Sequence, residues 1–132
     1  MLAPACTFDA LNINDGTTYT ILPGVRLGAK ERSYDEYMSY SGVVTQVNVS
    51  AAHLISMTIP LHVTGSSAAD LRTNLTALNT KIAAATAAVP LDLVYAGATY
   101  YIVAGSELEW EEDLAFLLTF WTEVDLQLNR KP

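Results

Sequence analysis

The segment LAFLLTFWTEVDLQL, residues 114–128, decides the fold. Its even positions are Leu114, Phe116, Leu118, Phe120, Thr122, Val124, Leu126 and Leu128, seven apolar side chains and one threonine. That is the period-2 signature of a strand with one buried face. The odd positions begin mixed, with Ala115, Leu117, Thr119 and Trp121, and end polar, with Glu123, Asp125 and Gln127. At about 3.3 Å per residue, such a strand runs for roughly 50 Å, well beyond the usual length. A strand so long in a small chain points to a large sheet or barrel shared within an assembly.

Just upstream the alternation has a sharper chemical contrast. Glu107, Glu109 and Glu111 fall on one side and Leu108 and Trp110 on the other, before Glu112 and Asp113 interrupt the pattern. With Glu123 and Asp125 these acids form the only dense group of functional side chains. Carboxylates two apart on one strand face lie about 7 Å from each other, close enough to share a cation or flank a substrate bond. The alternation itself already explains the spacing as a solvated or channel-lining face. No glycine-bearing calcium loop accompanies the acids, and no histidine or lysine neighbours them in sequence. His53 and His62, nine apart on opposite strand faces, make a poor metal pair. No nucleophile elbow or phosphate-cradling glycine loop is present. The chain is therefore read as a non-enzyme without a metal or cofactor.

Further toward the N-terminus, residues 91–96 and 99–104 flank a turn at Gly97 and read as a hairpin. Before it lies the one clear helix, expected over residues 67–88. Ser67 is its N-cap, Asp70 sits three residues on, and Pro90 stops it. Leu71, Leu75, Leu78, Ile82, Ala85 and Val89 recur at four-three spacing, so they form a stripe that packs on a sheet. Residues 54–64 alternate with Ile55, Met57, Ile59, Leu61 and Val63 on one face, and residues 42–49 are expected to pair with them through the turn Ser50-Ala51-Ala52. Pro60 places that strand at an edge or a bulge. Residues 17–22 form a first strand after an N-terminal arm, residues 1–16. Residues 28–41 read as a long interaction loop whose Tyr34, Tyr37 and Tyr40 offer amphipathic contact area.

A chain of 132 residues suits one domain with one core. The single Cys6 allows no internal disulfide and no zinc spacing. Residues 1–5 do not make a signal peptide, and no apolar run reaches the roughly 20 residues of a membrane span, so a soluble protein of a reducing cytoplasm is expected. Only 16% of residues are charged and 51% are apolar. Since about 25% charge is usual, part of the surface is expected to be covered by other subunits. The net charge of −7 argues against phosphate binding. An acidic wall suits a passage along which nucleic acid slides without sticking.

The order of elements carries a resemblance. Strands, a long polar loop, one helix after Ser66-Ser67, then Pro90-Leu91-Asp92-Leu93-Val94-Tyr95, Tyr100-Tyr101-Ile102-Val103-Ala104-Gly105 and a terminal strand running to Arg130-Lys131-Pro132 resemble the ring-forming tail proteins of long-tailed bacteriophages. The likeness covers about residues 17–132 and is greatest to the N-terminal domain of distal tail proteins. The plan is also similar to that of tail-tube subunits. It implies a mostly β fold, a β-sandwich or partial barrel flanked by a single α-helix, with residues 1–132 as one tail-ring domain of a virion. It also implies a hexameric homo-oligomeric ring that contacts other tail proteins, with DNA only in transit and no membrane. Compared with longer distal tail proteins, the chain is expected to stop after this domain and to lack their galectin-like or carbohydrate-binding module. On this reading the core comprises Leu71, Leu75, Leu78 and Ile82 against Phe116, Leu118 and Phe120, while Glu107, Glu109, Glu123 and Asp125 face the lumen. Tail-tube and tail-terminator roles are alternatives within the class. A carbohydrate- or small-ligand-binding β-domain using Trp110 or Trp121 is the alternative outside it.

Overall fold

In the computed structural model, which describes residues 5–28, 34–38, 44–48 and 54–132, the strands in chain order are β1 (Cys6–Phe8), β2 (Leu11–Asn12), β3 (Tyr19–Ile21), β4 (Tyr34–Met38), β5 (Val44–Asn48) and β6 (Ile55–Thr64). Helix α1 (Ala68–Ala84) follows, then β7 (Leu91–Tyr95), β8 (Ala98–Gly105), a π-helical turn (Ala115–Thr119) and β9 (Trp121–Arg130). No helix among the described residues is long and apolar enough to cross a membrane.

The backbone of the fold is the antiparallel ladder between β6 and β9, in register from Ile55 opposite Arg130 to Thr64 opposite Trp121. Met57, Ile59 and Leu61 stand opposite Leu128, Leu126 and Val124, and all six are buried. The second half of the decisive segment thus behaves as its alternation predicts. The first half does not. Residues 115–119 coil into the π-helical turn, and Phe120 takes the left-handed conformation with φ of 60° before β9 begins. Phe116 is fully buried, Phe120 is half-buried, and Leu114 and Leu118 are 73% and 67% exposed. The core expectation is therefore corrected at Leu118, and the strand is ten residues long, roughly 33 Å. The physical reason is local. Leu114, Ala115, Phe116, Leu117 and Leu118 include no β-branched residue, and leucine and alanine favour coiling. Asp113 completes the turn: its carboxylate accepts from the Phe116 N–H at 3.1 Å and its carbonyl from the Leu117 N–H at 3.0 Å.

Seven strands join in the order β2-β1-β7-β8-β9-β6-β3. The two short edge strands, β2 and β3, are consecutive in sequence, and the loop between them ties the edges together. The Asn14 side-chain carbonyl accepts from the Ile21 N–H at 3.0 Å, and the Asp15 carboxylate accepts from the N–H groups of Thr17, Thr18 and Tyr19 at 2.9–3.0 Å. Burial acts to raise the Asp15 pKa, but the donors at Tyr19, Thr17 and Thr18 together hold it below the ordinary value. The result is a nearly closed, barrel-like sheet. Residues 6–12, expected in a plain arm, belong to it: β1 pairs with β7, and Cys6, Phe8 and Ile13 are buried.

Two pairings differ from expectation. β4 occupies the middle of the expected loop 28–41 and pairs with β5 in a separate two-stranded sheet, Tyr34 opposite Asn48 and Met38 opposite Val44. β5 therefore does not pair with β6, whose two edges are taken by β9 and β3. Tyr40 and the expected turn at residues 50–52 lie outside the described residues. Pro60 is interior to the sheet rather than at its edge. Its carbonyl accepts from the Leu22 N–H at 2.9 Å, so its missing donor faces residues 22–25, where the neighbouring chain bulges between Ile21 and the bridge from Arg26 to Thr58.

Helix α1 closes the open side. Ser67 caps it, its hydroxyl accepting from the Asp70 N–H at 3.0 Å while the Asp70 carboxylate accepts from the Ser66 N–H at 2.8 Å. It ends at Ala84, four residues before the expected limit, and Val89 is exposed. Leu71, Leu75, Leu78 and Ile82 are buried across β6 and β8, each worth about 1.5–3 kcal/mol of transfer from water. Gly105 lets helix and sheet meet, since a Cβ there would stand 2.9 Å from side-chain atoms of both Ile82 and Leu128.

Candidate functional site

Because β9 buries Val124, Leu126 and Leu128, it must turn Trp121, Glu123, Asp125 and Gln127 outward. Residues 106–113 run alongside this outer face as an extended segment without strand pairing. Three contacts fix that segment. The Ser106 N–H donates to the Gln127 carbonyl at 2.9 Å, and the Leu108 N–H to the Asn79 side chain at 2.8 Å. Arg72 of α1 grips Glu112 through Nε and Nη2, the shortest contact being 2.6 Å. The Arg72 hydrogen bonds, followed by a longer one from the Trp110 indole, hold the Glu112 carboxyl below the usual range. Leu108 is tucked into the core, so Glu107 and Glu109 on either side are left exposed.

The two outer rims enclose an open groove. One part, of about 600 Å³, is lined by Pro60, Ser106, Glu107, Glu109, Glu123, Asp125 and Gln127 among others. A second hollow, of about 540 Å³, continues from it past Glu109, Trp110, Glu111, Asp113, Trp121 and Glu123. Glu107, Glu109, Glu123 and Asp125, singled out in the sequence, are thus brought together in the lining of one groove. Asp125 is in register with Pro60 and Glu123 with His62, whose ring stacks on Trp121 at 5.2 Å. Among the described residues the ion pairs are Arg72 with Glu112 and Lys81 with Asp9, and none of the ion pairs within them involves these four acids. No cluster of metal-ligating side chains occurs among the described residues. The arrangement is a negatively charged groove beside an apolar-backed strand, and the field of such a surface repels polyanions.

Sequence reasoning missed the part played by Gln127 and Ser106 and the stacking of His62 on Trp121. The register of β6 on β9 brings the last pair together, and nothing in their sequence spacing signals it. Tyr34 and Tyr37 lie on β4, away from the groove in sequence and in a different sheet.

No protein-family model matches the chain, and no curated protein matches its sequence. A solved structure does. The fold is similar, with a TM-score of 0.61 at 15% identity, to the Dit protein (gp 19.1) of phage SPP1, whose crystal structure is described as a paradigm of the hub adsorption apparatus in phages that infect Gram-positive bacteria. The match covers 98% of this chain and 50% of that one, so this chain spans half the length of the protein it resembles. A mostly β, barrel-like sheet flanked by one main helix is therefore a fold this chain shares with a phage tail hub protein.

Proposed function

We propose that this chain is a structural subunit of a phage tail, a distal-tail or baseplate-hub domain that assembles with copies of itself into a hexameric ring. The shared fold with SPP1 Dit over nearly the whole chain carries this reading. The low content of charged residues supports it, as does the acidic groove, whose four carboxylates form no ion pair among the described residues. In the ring, Glu107, Glu109, Glu123 and Asp125 face a lumen, where negative potential keeps passing DNA from adhering. The segment bearing Tyr34, Tyr37 and Tyr40 meets the neighbouring subunit or the next ring, and other tail proteins stack on the rims. A tube or terminator role is the alternative within the same class, and copy number in the virion separates the three.

Light scattering and negative-stain images test the ring. A hexamer of 14.3 kDa chains has a mass of about 86 kDa and should appear as an annulus. A monomer at all concentrations would end the proposal. Tryptophan fluorescence of that monomer changing on titration with oligosaccharides would favour a sugar site at Trp110 and Trp121 instead. For the lumen, reversing Glu123 and Asp125 to lysine should leave rings assembled and impair DNA ejection. Unchanged ejection would refute the lumen placement.

A further inference from the structure

The exposed large apolar side chains are not scattered. Among the described residues there are seven, and six of them lie at the two ends of the β6–β9 ladder. Leu114, Leu117, Leu118 and Trp121 cluster where β9 begins, and Leu54 and Tyr101 sit where it ends: Leu54 precedes Ile55, the partner of Arg130, and the Tyr101 carbonyl accepts from the Lys131 N–H at 2.9 Å. Patches of this kind on a folded chain mark contact surfaces.

Charge divides along the same axis. Of the five cations among the described residues, Arg72 and Lys81 are paired with Glu112 and Asp9. The other three, Arg26, Arg130 and Lys131, gather toward the Leu54 and Tyr101 end, Arg26 bridging to Thr58 and Arg130 standing opposite Ile55. Arg130 is fixed there, its guanidinium donating to the Leu27 carbonyl at 2.9 Å and lying 4.9 Å over the Tyr100 ring. Asp92, in register with Tyr101, offsets one of these charges. The leucine-rich end carries Glu111 and Asp113. The two ends are separated by the length of β9, roughly 30 Å.

We infer that copies of this chain dock head to tail, the leucine-rich acidic end of one subunit seating on the basic end of the next around Leu54 and Tyr101. This rests on the reading of the chain as a ring subunit and names the two surfaces that meet. A surface that carries apolar area and one sign of charge at one end, and apolar area with the opposite sign at the other, cannot pair with itself. It makes a heterologous contact, which closes into a ring when the rotation per subunit permits. Like-charge ends repel, so the same pattern rejects the reversed orientation.

The test uses two variants of the full chain, changed only at exposed side chains. Glu111→Lys with Leu114→Lys puts two positive charges on the acidic end, and Arg26→Glu with Lys131→Glu makes the basic end negative. Each alone should elute as a monomer where the wild type elutes as a hexamer, and an equimolar mixture should recover the hexamer with three copies of each. Recovery on mixing also shows that both variants are folded. Variants that assemble alone as the wild type does would overturn the head-to-tail pairing while leaving the ring intact, and so would two monomeric variants that fail to combine. A monomeric wild type would overturn the ring reading itself, and this pairing with it.

Discussion

Leu126 and Leu118 occupy equivalent places in the alternation of residues 114–128, and the structure assigns them opposite energetic weight. Leu126 is fully buried opposite Ile59, whereas Leu118 projects from the π-helical turn. Truncating a buried leucine to alanine removes its transfer energy and leaves a cavity, so Leu126→Ala should cost about 3–4 kcal/mol. Against a net stability of about 5–15 kcal/mol for a domain, that is a large fraction, and it corresponds to a melting temperature lower by roughly 10–15 °C. Leu118→Ala should change stability by no more than about 0.5 kcal/mol in the unassembled chain. Urea titrations followed by tryptophan fluorescence, repeated over a range of protein concentrations, separate folding from assembly, because only the assembly contribution depends on concentration. The Leu126→Ala loss should be the same at every concentration, and any Leu118→Ala loss should appear only where subunits associate. Equal losses for the two variants in the monomer would mean that residues 114–120 continue β9 as a strand, and the coiled turn at Ala115–Thr119 would be refuted.

Two further outcomes follow from close packing and burial. A Cβ at Gly65 would stand 2.5 Å from the Leu71 nitrogen and 2.9 Å from its Cα, backbone atoms of the first helical turn that cannot yield, so Gly65→Ala should destabilise by about 2–3 kcal/mol; an unaltered thermal melt would contradict this. Burial pushes the Cys6 thiol up to about 11 from the ordinary 9.0, so the folded state holds that proton more tightly. Its contribution is complete below pH 9 and is lost as pH rises from 9 toward 11, a total of about 3 kcal/mol. Cys6→Ala should flatten that part of the stability profile, and an unchanged slope would show that the thiol is not its source.

What could be read in the sequence was whatever local chemistry settles. The Ser67 and Asp70 caps, the Leu71–Leu75–Leu78–Ile82 stripe, the hairpin at Gly97 and the buried face of residues 55–63 all form as their patterns require. The misread parts are those where two local signals compete or where pairing is long-range. Leucine and phenylalanine at every second position satisfy a strand, but Asp113 ahead of a run lacking β-branched residues is a helical start, and the alternation obscured it. Strands of three and two residues, such as β1 and β2, have no period to detect. They exist because β7, some ninety residues further along the chain, presents an edge to Cys6, Thr7 and Phe8. The separation of β5 from β6 is also tertiary, since the ten-residue ladder with β9 outcompetes a five-residue hairpin partner. For the groove, the acids were legible because each alternates with an apolar neighbour. Which of them share a groove was not, because that depends on residues 106–113 lying back along β9.

The tie between Asn14 and Ile21 covers the outer edge of β3, one of the two rims of the main sheet. At Ile21 a neighbour therefore finds no free amide to pair with, of the kind that amyloid-prone edges offer.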